Sequence, residues 1–276
     1  MHFPPVKPEV LLSLGPIPIT NSMFTSWIAM LLLVITGVLI GKNFKRLPSG
    51  LQHIFEMVYE LFDGMAVDAM GKTGRKFVPL ILTFFLLIVT NNWLGILPGV
   101  GSLGFEREYH AKGTTKTAEE KPSTAAKNEK EHKTEFVPLF RGGNADLNMT
   151  FALALIAQVV IHASGIRSAG LRHHLAHFKN PMEIITEISK ILSFSFRLFG
   201  NVFAGEVMLS VMAGLVVIIT GKTQNWYGIP GGLIQTPFFL LELFVGFIQA
   251  FVFAMLVISF LSLFVKTEHS GHAGGH

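Results

Sequence analysis

Five stretches of the chain are apolar for long enough to cross a bilayer, and basic residues cluster at alternate ends of them. The first runs over about 23–40, close to the roughly 20 residues a span requires. Lys42, Lys45 and Arg46 follow it. Basic residues collect on the inner side of a membrane, so the amino terminus is expected outside and the run reads as a retained span, not a cleaved leader. From 51 to 70 the residues Leu51, Ile54, Phe55, Val58, Leu61, Phe62 and Met65 recur at helical spacing, while Glu56, Glu60, Asp63 and Asp68 interrupt them. That pattern predicts an amphipathic helix lying along the membrane surface. A second span, about 77–97, begins after Lys72, Arg75 and Lys76 and stops at Pro98-Gly99. A third, about 149–166, returns to Arg167, Arg172, His173, His174, His177 and Lys179, so the basic side is again the inner side.

The last two apolar segments, 185–220 and 233–265, are much longer. As helices they would measure about 50 Å each, against a hydrocarbon core of about 30 Å. Ordinary tilts average only about 20°. The pair is therefore expected to lie obliquely, as an antiparallel hairpin over 185–265, against a curved neighbour. Between the spans, residues 1–22 hold five prolines and read as an extended outer tail. Residues 100–148 hold eight basic and eight acidic residues among Gly, Thr, Ser and Ala, which predicts a solvated outer loop. Residues 266–276 read as a mobile inner tail. The whole chain, 1–276, is expected to form a single all-α membrane domain of five crossing helices and one surface helix. No internal repeat links the segments, which weighs against an inverted-repeat transporter.

Composition agrees with the pattern: half of the 276 residues are hydrophobic, 14% are charged and 25 are Phe. Mean hydropathy is +0.50, outside the range of soluble proteins. The net charge of +4 arises from Lys and Arg at the ends of apolar runs, without the basic stripe that follows phosphates, so nucleic acid is not an expected partner. The chain has no Cys, which excludes disulfides, thiolate zinc sites and thiol redox chemistry. No GxxxxGK[ST] loop is present, so ATP chemistry would belong to partner chains. His173 and His177 have a metal-ligand spacing but lack a third ligand, and His269, His272 and His276 sit in the glycine-rich tail. Neither a metal nor a cofactor is expected.

Polar residues within the spans are few, and each ionisable one costs about 2.5 to 3.5 kcal/mol at the centre of an inserted helix. Within the first long segment, Arg197 lies near the middle of the run Ser193-Phe194-Ser195-Phe196-Arg197-Leu198-Phe199-Gly200-Asn201, with Glu206 nine residues beyond it. In the second, Glu242 and Gln249 are seven apart and share a face. With the two helices antiparallel, the rise from Arg197 to Glu206 is about 13 Å and that from Glu242 to Gln249 about 10 Å. Gln249 then falls level with Arg197, and Glu206 with Glu242, where two nearby carboxyls would hold a proton between them as an outer way in. The alternative for Arg197 is a purely structural tie between helices. Gln158 and His162, four apart in the third span, either extend a water path from the outer loop or hydrogen-bond between helices.

The run Arg197-Leu198-Phe199-Gly200-Asn201-Val202-Phe203-Ala204-Gly205-Glu206 resembles the signature of the a subunit of F-type ATP synthases. The likeness extends upstream through Pro181-Met182-Glu183-Ile184-Ile185-Thr186-Glu187 to Ile188-Ser189-Lys190, and downstream from Glu242 to Gln249-Ala250-Phe251. Asn91, Asn92, Leu97 and Pro98 fit it as well. The resemblance implies five spans plus a surface helix, with the long pair against a rotating ring of c subunits. It further implies a b-subunit peripheral stalk and a bacterial plasma membrane location with the carboxyl terminus in the cytoplasm. Arg197 would face the ring's ion-binding carboxylate as an electrostatic gate between two offset half-channels. Asn91, Asn92, Asn201, Glu206, Glu242 and Gln249 would belong to the outer half-channel or position Arg197. Glu183, Glu187 and Ser193 would belong to the inner one. The translocated ion would be H⁺, with Na⁺ as the other option. A guanidinium suits a gate because it keeps its proton and cannot relay one. Gly200, Ala204 and Gly205 are small enough for close helix approach. Two departures from the family pattern are the long charged loop and the aromatic bulk of Phe194 and Phe196 beside the arginine, which bears on packing against the ring. The competing readings are a secondary transporter or channel that works without a c ring, and a structural membrane scaffold.

Overall fold

The computed structural model describes residues 7–15, 17–47, 50–97, 103–109, 133–171, 180–220 and 229–265. The expectations placed on Pro98, Gly99, Arg172, His173, His174, His177, Lys179 and the tail with His269, His272 and His276 lie outside these residues.

Strands β1 (Val10–Leu14) and β2 (Ile17–Thr20) pair antiparallel where the sequence suggests an extended tail. Pairing satisfies backbone groups that an isolated extended segment leaves open. Helix α1 (Asn21–Lys42) follows at once, capped by Thr20, whose hydroxyl accepts from the Met23 N–H at 3.3 Å. Helix α2 (Leu51–Met70) leads through a 3₁₀ turn, Gly71–Lys76, into α3 (Val78–Ile96). A second antiparallel hairpin, β3 (Gly104–Tyr109) with β4 (Lys133–Pro138), rises from the charged loop. A short 3₁₀ turn, Gly143–Ala145, precedes α4 (Leu147–Ala169), which Asp146 caps through its 2.9 Å contact with the Asn148 N–H. The two longest helices are α5 (Pro181–Thr220) and α6 (Ile229–Val265).

Among the described residues, five helices contain windows long and apolar enough to cross a membrane: Asn21–Lys42, Val78–Ile96, Leu147–Ser168, Pro181–Leu215 and Gln235–Phe264. Their outer surfaces are apolar too. On α1, Trp27, Leu31, Val34, Ile35, Val38 and Leu39 are all exposed, a patch that water would not tolerate and lipid would. The protein is an all-α integral membrane protein with five crossing helices and one amphipathic helix. At 40 and 37 residues, α5 and α6 run about 60 and 55 Å.

Helix α3 packs along α6, α4 sits on both α5 and α6, and α1 leans on α3. The centre is aromatic. Phe62 of α2 reaches Phe85 of α3 at 5.0 Å and Phe251 of α6 at 6.0 Å, so the amphipathic helix is pinned by one fully buried ring. Phe194 of α5 meets Phe253 and Phe260 of α6 at 4.9 and 5.7 Å. Phe194 is therefore core, and only Phe196, of the two aromatics flanking Arg197, faces outward.

Candidate functional site

Helical phase decides which side of α5 each residue takes. Phe194, Ser195, Leu198, Val202 and Gly205 turn inward, and the Ser195 hydroxyl meets that of Thr150 on α4 at 3.1 Å. The opposite side carries Thr186, Ser189, Ser193, Arg197, Gly200 and Ala204, spaced three or four apart, all exposed except half-exposed Gly200. Apart from Arg197, every residue on this stripe is small. The hydroxyls of Thr186 and Ser189 donate to carbonyls of their own helix, four residues back. Arg197 Nη2 donates to Ser193 Oγ at 3.3 Å, and among the described residues no carboxylate lies within ion-pair distance of it. The guanidinium thus stands on an outward face with a single weak tie to its own helix.

Two contacts fix the register of α5 on α6. Phe194 meets Phe253, and the Glu242 carboxylate rests against the backbone of Gly205, the same eleven-residue interval on each helix. Gln249, half-buried, consequently falls within one residue of the level of Arg197, and Glu242 within one residue of Glu206. Gln249 and Arg197 share a level without a hydrogen bond between them. Asn201 is half-buried on α5, one turn from Arg197 in the direction of Glu206.

Asn91 and Asn92 are both buried near the end of α3. Asn92 donates to the Gly246 carbonyl at 2.9 Å and accepts from Asn144 at 2.7 Å, tying α3 to α6 between Glu242 and Gln249. Asn91 abuts Gly143, with its Oδ1 buried and unpaired. The residues from Arg141 to Asp146 are buried as well, although the sequence places them in a solvated loop. Arg141 clasps Glu206 with two bonds, Nη2 to Oε2 at 3.0 Å and Nε to Oε1 at 3.4 Å. Asp146 Oδ2 accepts from Ser22 at 2.9 Å, and Asn144 also donates to the Ile88 carbonyl at 3.2 Å. Composition over the 49 positions 100–148, dominated by the charged stretch, hides these residues. Over 139–148 alone there is one basic and one acidic residue, with two glycines ahead of a helix cap, and that local change was the available signal.

The residues assigned to an inner path separate into two groups. Ser193 stays with Arg197. Glu187 turns the other way, toward α4, into a cluster with Gln158, His162 and Lys190. Lys190 Nζ bonds its Oε1 at 2.6 Å, His162 Nε2 lies 3.3 Å from its Oε2, and Gln158 donates to the same oxygen. Gln158 and His162 also meet each other at 2.8 Å. They therefore link α4 to α5 well away from the Asp146 end of α4. Leu155, Val159, Ile166 and Ile188 complete a groove of about 560 Å³ over this cluster. Glu183 is half-exposed one turn earlier on α5.

The arrangement offers carboxylates and amides at two levels inside an apolar bundle, and one outward cation between them. It holds groups able to pass protons. The family model described as ATP synthase A chain matches residues 23–262. Subunit a of the ATP synthase of Moorella thermoacetica is 30% identical over 94% of this chain and 97% of its own length. That of Desulforamulus reducens is 32% identical over 95% and 84%, and that of Gloeobacter violaceus 31% over 94% and 89%. The chain belongs to the ATP synthase A chain family, the family of subunit a of F-type ATP synthases.

Proposed function

We propose that this subunit is the ion-translocating part of the stator, passing protons between two offset half-channels and a rotating ring of c subunits with Arg197 as the gate. The observation that carries the reading is the exposed, unpaired guanidinium of Arg197 midway along an apolar helix. A charge in that setting costs too much to persist without an acidic partner, and the described residues supply none within reach. A carboxylate on a neighbouring subunit, carried past by rotation, meets the need. The stripe of Thr186, Ser189, Ser193, Gly200 and Ala204 supports this, because small side chains let another helix approach closely enough to reach the arginine.

In this reading Asn91, Asn92, Asn201, Glu206, Glu242 and Gln249 serve the outer path, and Glu183, Glu187 and Ser193 the inner one. Orientation follows the basic residues, with the amino terminus outside and the carboxyl terminus in the cytoplasm of a bacterial cell. The b-subunit stalk holds the subunit still while the ring turns. The proton is the proposed ion, and Na⁺ would change the ring's site more than this one. A transporter or channel acting without a ring would need its own partner for Arg197, which disfavours it. The deciding experiment is ATP-driven proton pumping by the purified complex in vesicles. Arg197→Ala is expected to abolish pumping while the complex still assembles, and pumping at the wild-type rate would refute the gate.

A further inference from the structure

Arg141 has no role in the scheme above, yet it makes the only two-pronged ion pair to a candidate path residue among the described residues. Its backbone is fixed before its side chain is. The Arg141 N–H donates to Thr25 Oγ1 of α1 at 3.1 Å, and Gly142 and Gly143, next in sequence, press against Gly95 and Asn91 of α3. With the chain held by two helices, the guanidinium is directed at a third. It is 7% exposed, and its Nη1 is buried without a partner.

Adhesion alone explains this poorly. A buried ion pair is often no more stabilising than apolar residues of the same volume, and a donor left open adds to its cost. A forked guanidinium does what apolar packing cannot, since it sets a carboxylate in one plane and at one place. Glu242, one level across on α6, has the opposite situation. Its carboxylate rests on the Gly205 backbone and makes no hydrogen bond or ion pair with the described residues.

We propose that Arg141 is a positioning residue for ion translocation, pinning the Glu206 carboxylate beside Gly205 so that Glu242 is the carboxyl left free to move. This inference rests on the translocation reading above, and it gives the two acids of the outer path different tasks. The charged loop then does more than connect, because its last residues build part of the path's wall.

The test uses the whole complex in vesicles, comparing Arg141→Gln, Arg141→Lys, Glu206→Gln, the double variant R141Q/E206Q and the reversed pair R141E/E206R. Subunit content after purification is measured beside ATP-driven pumping. Arg141→Gln is expected to pump at least about tenfold more slowly, with Arg141→Lys intermediate and R141Q/E206Q no slower than the slower single variant. The reversed pair keeps the tie between loop and helix but moves the carboxylate to the loop. It should assemble at wild-type yield and still pump at least about tenfold slowly. Wild-type pumping by Arg141→Gln, or by the reversed pair, overturns the inference, the latter by reducing Arg141 to a structural tie. If Arg141→Gln does not assemble, Arg141→Lys and the reversed pair decide. Loss of pumping in Arg197→Ala together with normal pumping in Arg141→Gln would leave the gate standing and remove only this proposal.

Discussion

A methyl group on residue 205 would occupy the space that the Glu242 carboxylate fills. The clash is with the far end of a flexible side chain, so Glu242 can swing aside and the cost in stability should stay below about 1 kcal/mol, under the usual cost of overpacking. Gly205→Ala is therefore expected to assemble normally and to pump several-fold more slowly, because what moves is the acid of the path. Equal losses of assembled complex and of pumping would contradict this. Gly246 differs: a methyl there would meet the Cβ of Asn92 at 3.2 Å, and that side chain is held at both ends by hydrogen bonds. The same kind of substitution thus acts on function at one glycine and on helix packing at the other.

Among the elements, α5 and α6 depend on the tilted and edge-on ring contacts of Phe194 with Phe253 and Phe260. Phe253 is fully buried, so Phe253→Ala should cost about 3–5 kcal/mol, read as loss of assembled complex on heating in detergent. An unchanged thermal profile would show that the two helices are held from elsewhere. The long pair was legible in the sequence as length, and its register as one available alignment, because rise per residue is fixed and the interval from Arg197 to Glu206 is close to that from Glu242 to Gln249. The direction of Phe194 was legible in principle as well, since it shares a helical face with Leu198, Val202 and Gly205. What sequence could not supply were contacts made across long separations. Arg141 with Glu206, Asn144 with Asn92, and His162 with Glu187 each join segments whose proximity is set by the packing of other helices. Periodicity within one segment carries no record of them.

At the scale of the molecule, the bundle has two kinds of outer surface, and they imply different surroundings. Helix α1 presents large apolar side chains almost all round and is suited to lipid, while one stripe of α5, beside exposed Leu192 and Phe196, presents small residues around a charge and is suited to a protein neighbour. Such a division has meaning only if the chain is threaded in one direction, with residues 43–47 and 71–77 on one side and the hairpin of β3 and β4 on the other. Because the chain contains no Cys, single cysteines report this cleanly. Leu103→Cys in intact cells should react with a membrane-impermeant maleimide added outside, and Lys45→Cys only after the membrane is opened. Reaction of both from the same side would break the alternation of spans. Reaction of Lys45→Cys alone from outside would keep the alternation and invert the molecule, which would exchange the outer and inner paths and place the Arg141–Glu206 pair at the cytoplasmic mouth.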